Sequence, residues 1–301
     1  MSRKQLLTRW CRLSKESIVH IVTDDLQYQI AKAIENGINN KCEIIDYSEY
    51  DSLSEKISQL SENDLLIVLL SLKTYMEAGA NKLFSPFEKP VKTMAKYIFI
   101  RLDITEESLF QGLFTPKNLV YSKISEMNLF NPQNMLSVKN SSGTNITLKI
   151  GSFNTCSHEV TKNCDYAFLP PSETSADVIE GTANGEIVVD VTVGQFYYYG
   201  RLLNEFGLVN SPIKIIIRNG YVTDILGESM AKELKELLFS LPKECRKLVE
   251  IGQGLSKMTP TGIIGVDESI IDSCHFGIGD AEKCGLHLDV VVSKPLIQEY
   301  K

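Results

Sequence analysis

The sequence predicts a two-part α/β protein: an N-terminal α/β domain built on a parallel sheet, then a C-terminal α+β domain with a mainly antiparallel sheet. Three observations carry this reading. Apolar runs alternate with amphipathic segments in the first half, the texture changes near residue 140 to closely spaced strands and turns, and an Asn-Gly step joins two alternating runs beyond it.

Residues 17–23 (Ser-Ile-Val-His-Ile-Val-Thr) form the first buried-strand run, and Asp24-Asp25 opens an amphipathic segment through Ile34 and Ile38. A second strand follows at 43–47, and Ser52 with Glu55 matches a helix-opening capping box. Residues 65–70 are the longest apolar run, 97–101 give a further strand, and Thr105 starts another helix. This order describes a Rossmann-like domain over 1–140. No Gly-x-Gly-x-x-Gly follows the first strand, where Thr23-Asp24-Asp25 stands instead, so a dinucleotide site is disfavoured. Turn-rich residues 131–134 and 141–144 mark the boundary. The second domain, 141–301, contains strands at 145–150, 186–193, 212–218 and 220–225, with Asn219-Gly220 as a two-residue hairpin turn. One helix covers 229–240 ahead of Pro242.

The chain has 301 residues, enough for two domains, and its 31 basic against 38 acidic side chains are scattered without a basic cluster. That excludes the electrostatic footprint of a nucleic-acid or anionic-membrane binder. No run is long and apolar enough for a signal peptide or a membrane span, so the expectation is a soluble cytoplasmic protein. Seven cysteines at irregular positions do not read as a disulfide framework or as a zinc ribbon.

Chemistry concentrates near the C-terminus. Side chains two apart on a strand share a face, so His287 and Asp289 present an imidazole and a carboxylate together. His275, across the turn Gly277-Ile-Gly279-Asp280, can return over the same place from a neighbouring strand. Two imidazoles and one carboxylate suit a divalent transition metal, and carboxylates upstream can hold a second. Glu173 follows the stiff Leu169-Pro-Pro turn. Glu250 precedes Gly252 and Gly254, small residues that let another group approach the backbone, and Glu268 begins the segment ending in His275. Singly, each glutamate reads as a solvated surface acid.

Other candidates are weaker. Cys156 and His158 resemble a nucleophile pair without a third orienting group, and His20 within an apolar strand reads as a satisfied core histidine. Residues 197–199 (Tyr-Tyr-Tyr) read as a strand-end wall, and Ser172 lacks the Gly-x-Ser-x-Gly turn.

Taken in order over residues 160–295, Leu-Pro-x-x-Glu173, Glu180-Gly-x-Ala-Asn-Gly-x-Ile-Val-Val-Asp190, the paired strands around Asn219-Gly220, Glu250-x-Gly-x-Gly, Asp267-Glu268 to His275 and His287-x-Asp289 resemble the aminopeptidase T family of metallopeptidases. The resemblance implies that Glu173, Glu250, Glu268, His275, His287 and Asp289 bind two divalent ions (zinc, cobalt or manganese), with Glu250 bridging them and catalytic. It implies removal of N-terminal residues from peptides or small amides, and a possible homodimer. Three departures stand out: Glu282 occupies the position of the family's tyrosine, the step from Glu268 to His275 is two residues longer than in typical members, and only eleven residues separate His275 from His287. The chain is also similar to 2,5-dihydroxypyridine dioxygenases, in which His275, His287 and Asp289 would hold one Fe(II) ion. A catalytically inactive peptide-binding relative is the third reading.

Overall fold

The computed structural model describes residues 3–11, 13–49, 59–78, 96–132, 134–151, 153–155 and 166–300. Within these, the chain runs α1 (Arg3–Cys11), β1 (Val19–Thr23), α2 (Tyr28–Asn36), β2 (Cys42–Asp46), β3 (Leu65–Leu69), α3 (Leu72–Ala78), β4 (Lys96–Ile100), α4 (Glu106–Leu113) and α5 (Lys117–Asn128). Then come β5 (Met135–Lys139), β6 (Asn145–Lys149), β7 (Asn154–Thr155), β8 (Tyr166–Leu169), β9 (Glu173–Asp177), β10 (Asn184–Val189), β11 (Thr192–Tyr198), β12 (Arg201–Leu208), β13 (Ile213–Arg218) and β14 (Tyr221–Leu226). The chain continues with α6 (Ser229–Ser240), β15 (Leu248–Gly254), α7 (Ile264–Asp267), β16 (Ser273–Ile278), α8 (Ala281–Cys284), β17 (Leu288–Ser293) and β18 (Leu296–Tyr300). The expected capping box at Ser52 and Glu55, and the Cys156–His158 pair, lie outside the described residues.

Two compact units divide the chain: Met1–Thr115 with Cys156–Ser172, and Pro116–Thr155 with Glu173–Lys301. The first holds a parallel sheet in the order β2-β1-β3-β4-β8. All five residues of β3 are buried, as expected for a strand covered on both faces. Thr105 caps α4 by accepting from the Ser108 N–H. Asp24 and Asp25 do not begin α2; Asp24 instead receives the Gln27 N–H at 3.0 Å and the Ser71 N–H and hydroxyl, and the helix starts at Tyr28. His20 is largely buried and is satisfied by Glu43 of the adjacent strand, Nδ1 to Oε2 at 3.2 Å.

The boundary at 115/116 replaces the one expected near 140, and hydrogen bonding explains why. β5 pairs antiparallel with β6 and with β18, which ties residues 135–139 to the C-terminal strand, while β8 pairs in parallel with β4 and belongs to the first sheet.

The second unit contains two antiparallel sheets, ordered β14-β13-β10-β6-β5-β18 and β12-β11-β17-β16-β15-β9-β7. Ile187, Ile215 and Val222 of one and Ile251, Phe276 and Val290 of the other contribute to one apolar core, joined by Leu234 and Leu238 of α6. The expected strand 186–193 is two strands in different sheets. The break falls at Asp190, whose carboxylate accepts from the Ser293 N–H and hydroxyl, each at 2.7 Å. Asn219 and Gly220 both have positive φ, 50° and 79°, as a two-residue hairpin turn of the favoured twist requires.

Candidate metal centre

Strand alternation sorts the seven-stranded sheet into two faces. Ile251, Phe276 and Val290 enter the apolar core, so Glu250, His275 and Asp289, each one residue away along its strand, point to the opposite face. Register aligns them. Gly252 lies opposite His275, Gly277 is flanked by Glu250 and Asp289, and Gly254 lies opposite Glu173 of β9. Charged side chains thus alternate with glycines across neighbouring strands.

The glycines are required by space. A methyl group on Gly252 would lie 2.1 Å from Cε1 of His275, and one on Gly277 would lie 2.8 Å from Cε1 of His287 and 2.9 Å from Cβ of Glu250. On Gly254 it would meet the Ile270 carbonyl oxygen at 2.1 Å, because the chain at 269–270 crosses directly over that residue.

Two carboxylate–imidazole groups result, and they share one residue. His275 Nε2 lies 3.2 Å from Glu173 Oε2 and 3.7 Å from Glu250 Oε1. His287 Nε2 lies 3.3 Å from Asp289 Oδ1 and 3.5 Å from Glu250 Oε2. The two oxygens of Glu250 therefore address different histidines. One ligand atom each from Glu250, His287 and Asp289 lie within 4.8 Å of one another. His275 is drawn instead to Glu173 and Glu250, so the expected trio of His275, His287 and Asp289 is not the tightest set.

Glu268 stands apart from these four ion pairs. It is buried at the C-terminal end of α7, directly before the crossing over Gly254 at residues 269–270. Asp267 beside it is fully buried and structural: its carboxylate accepts from the Thr261 N–H and hydroxyl at 2.8 and 2.9 Å, from the Gly262 N–H at 2.8 Å and from the Thr192 hydroxyl.

Protonation follows from this crowding of carboxylates. Asp289 foremost, then Glu250 and the Gly279 carbonyl, push the His287 pKa up to about 10 against the opposing effect of burial. Burial disfavours the His275 imidazolium, but Glu173 and Glu250 outweigh it and hold that pKa above the ordinary value. Burial likewise disfavours ionised Glu250, yet hydrogen bonding and charge from His275, with help from His287, keep its pKa below the ordinary value against Asp289. Raised imidazole pKa values favour positive charge among these carboxylates, the sign of charge that a bound cation would also supply.

The donor set fits divalent metal ions. His287 Nδ1 lies 3.2 Å from the Gly279 carbonyl oxygen, a contact that fixes the proton on Nδ1 and leaves Nε2 as the ligand atom. Mixed imidazole and carboxylate donors suit zinc, manganese, cobalt or ferrous iron. The glycine cradles leave room that side chains would fill. This support was only partly visible in the linear sequence: Gly252 and Gly254 stood out, whereas Gly277, the Gly279 carbonyl and the role of Asp267 emerge only from strand register and loop crossing.

No family model and no curated protein matches the chain. Among solved structures, a 2,5-dihydroxypyridine dioxygenase from Pseudomonas putida KT2440 is similar at 15% identity with a TM-score of 0.66, covering 98% of this chain and 93% of that one. Wild-type AmpT from Thermus thermophilus is similar at 13% identity with a TM-score of 0.53, covering 99% and 94%. Both likenesses are of fold. Among the described residues, no helix is long and apolar enough to cross a membrane.

Proposed function

We propose that the protein is a metal-dependent hydrolase of the aminopeptidase T type, releasing N-terminal residues from peptides or small amides. The observation that supports this reading is Glu250: its two oxygens face two separate histidines, each with its own second carboxylate, so that it could be shared between two cations. Glu173, Glu250 and His275 would hold one ion; Glu250, His287 and Asp289 would hold the other. When bound, such ions supply Lewis acidity and a water acidic enough to be deprotonated near neutral pH. Glu250 keeps its charge through its low pKa and fixes the spacing of the two imidazoles. Gly279 orients His287 through its carbonyl, and Asp267 anchors the segment that carries Glu268.

A second reading is a mononuclear iron dioxygenase with His275, His287 and Asp289 as ligands. Glu282 is compatible with it, since the peptidase family carries a tyrosine at the corresponding position. Metal analysis of Glu250→Gln separates the two. The hydrolase reading expects about two ions per wild-type chain, a loss of the pair in the variant, and release of aminoacyl-anilides only from the wild type. One iron per chain, retained in Glu250→Gln, would reject it in favour of the dioxygenase. Two ions bound without hydrolysis of any aminoacyl-anilide would point to an inactive peptide-binding relative.

A further inference from the structure

The segment between β15 and β16 lies over the ligand-bearing face of the seven-stranded sheet. Thr192 shares that face with His275, since both stand opposite Val291 of β17, and its hydroxyl bonds the Asp267 carboxylate at the end of α7. Val193 enters the apolar core, so Gly194 next to it again faces the ligands' side. The row formed by Glu250, Gly277 and Asp289 on β15, β16 and β17 continues onto β11, where the same register sets Gly194 opposite Asp289. A methyl group on Gly194 would lie 3.1 Å from the Asp289 carbonyl oxygen and 3.2 Å from Cγ1 of Ile264. Ile264, delivered by α7, therefore takes the volume beside Asp289 that a side chain at 194 would fill.

Two neighbours already fix α7 in place: Val266 is fully buried, and Asp267 is hydrogen-bonded to Thr192, Thr261 and Gly262. Ile264 is only partly buried and leaves apolar surface open. The ligands on this side of the centre are the accessible ones, with the His287 side chain 34% exposed against 2% for His275. A substrate thus reaches the group formed by Glu250, His287 and Asp289, and Ile264 offers it an apolar surface over β11. Apolar area buried there is favourable, whereas a polar group pressed against it loses water without gaining a partner.

We infer that Ile264 is a specificity-determining residue: its side chain forms an aliphatic wall beside Asp289 against which the side chain of the substrate's N-terminal residue packs, so that aliphatic residues are preferred to glycine. This deepens the hydrolase reading and rests on it.

The experiment uses the full-length, metal-loaded protein and two metal-chelating probes, leucine hydroxamate and glycine hydroxamate, titrated calorimetrically, with the metal content of each variant measured alongside. Wild type is expected to bind the leucine probe about tenfold or more tightly than the glycine probe. Ile264→Leu should keep that ratio and Ile264→Val should lower it slightly. Ile264→Ala should cut it by about threefold or more at the metal content of wild type, because the methyl groups that meet the probe are gone. Taking the ratio of two probes in one variant separates recognition of the side chain from any general weakening of the centre. Equal affinity of the two probes in wild type, or a ratio unchanged in Ile264→Ala, overturns the inference and leaves the metal centre standing. Loss of metal from both Ile264→Ala and Ile264→Val would assign the residue to supporting the centre and also overturn it. Failure of wild type to bind two divalent ions, or to bind either probe, overturns the hydrolase reading and the inference with it.

Discussion

At the scale of single residues, the site depends as much on side chains that are absent as on those present. Gly252 has no side chain because the His275 ring occupies that volume, and the ring is fully buried between β15 and its neighbours. Gly252→Ala would force either the imidazole or the backbone aside. The expected cost is about 1–3 kcal/mol of stability, the usual penalty for inserting a methyl group into packed surroundings. Under the proposed two-ion reading, the cobalt-loaded variant should also lose the visible absorption due to the ion assigned to His275 while keeping that of the other. Denaturant unfolding and absorption spectra check both, and unchanged spectra would show that His275 is not a ligand.

At the scale of elements, the segment between β15 and β16, which carries Glu268, crosses over Gly254 at residues 269–270, and its anchor is Asp267. This carboxylate takes up two backbone N–H groups and two hydroxyls in a fully buried position. Asp267→Ala leaves those donors unsatisfied and is expected to destabilise the protein by about 3 kcal/mol in chemical denaturation. Asp267→Asn, which keeps an acceptor oxygen, should lose less. A similar small loss in both variants would mean that the hydrogen bonds observed here contribute little to holding the crossing. The alternation of β17 was legible in the sequence because apolar residues at 288, 290 and 292 interleave with His287 and Asp289. The long-range bonds of Asp267 were not, since Thr192 lies 75 positions away along the chain.

At the scale of the whole molecule, proton binding and folding are linked, and the proposed metal binding would be linked to both. The folded-state pKa of His287 is raised from 6.5 to about 10, so the stabilisation from its charged pairing with Asp289 is fully present below 6.5 and lost as pH rises through about 10. Glu250 has the opposite sign: its depressed pKa contributes stability above the ordinary carboxylate value of 4.5, lost as pH falls through the folded value. If His287 is a ligand as proposed, a cation must displace its proton, and apparent metal affinity should rise by about tenfold per pH unit per proton released until pH approaches the pKa of the folded imidazole. The metal-induced rise in unfolding temperature should therefore grow with pH at fixed free metal concentration. Calorimetric titration in buffers of different ionisation enthalpy measures the protons released. A pH-independent affinity without proton release would mean that His287 is not displaced from its proton by the metal.

The sequence by itself determined the fold class, because strand alternation, helix periodicity and the Asn219-Gly220 turn are local properties of the chain. It also marked Glu173, Glu250, His275, His287 and Asp289 as candidates that the folded sheet brings together. Only the tertiary structure decided where the units divide, since that depends on β5 pairing with β18 and β8 with β4. The same is true of which carboxylate faces which histidine. Those distances are set by the mutual register of β9, β15, β16 and β17, and register is fixed by the shared apolar core on the opposite face, not by any short stretch of sequence.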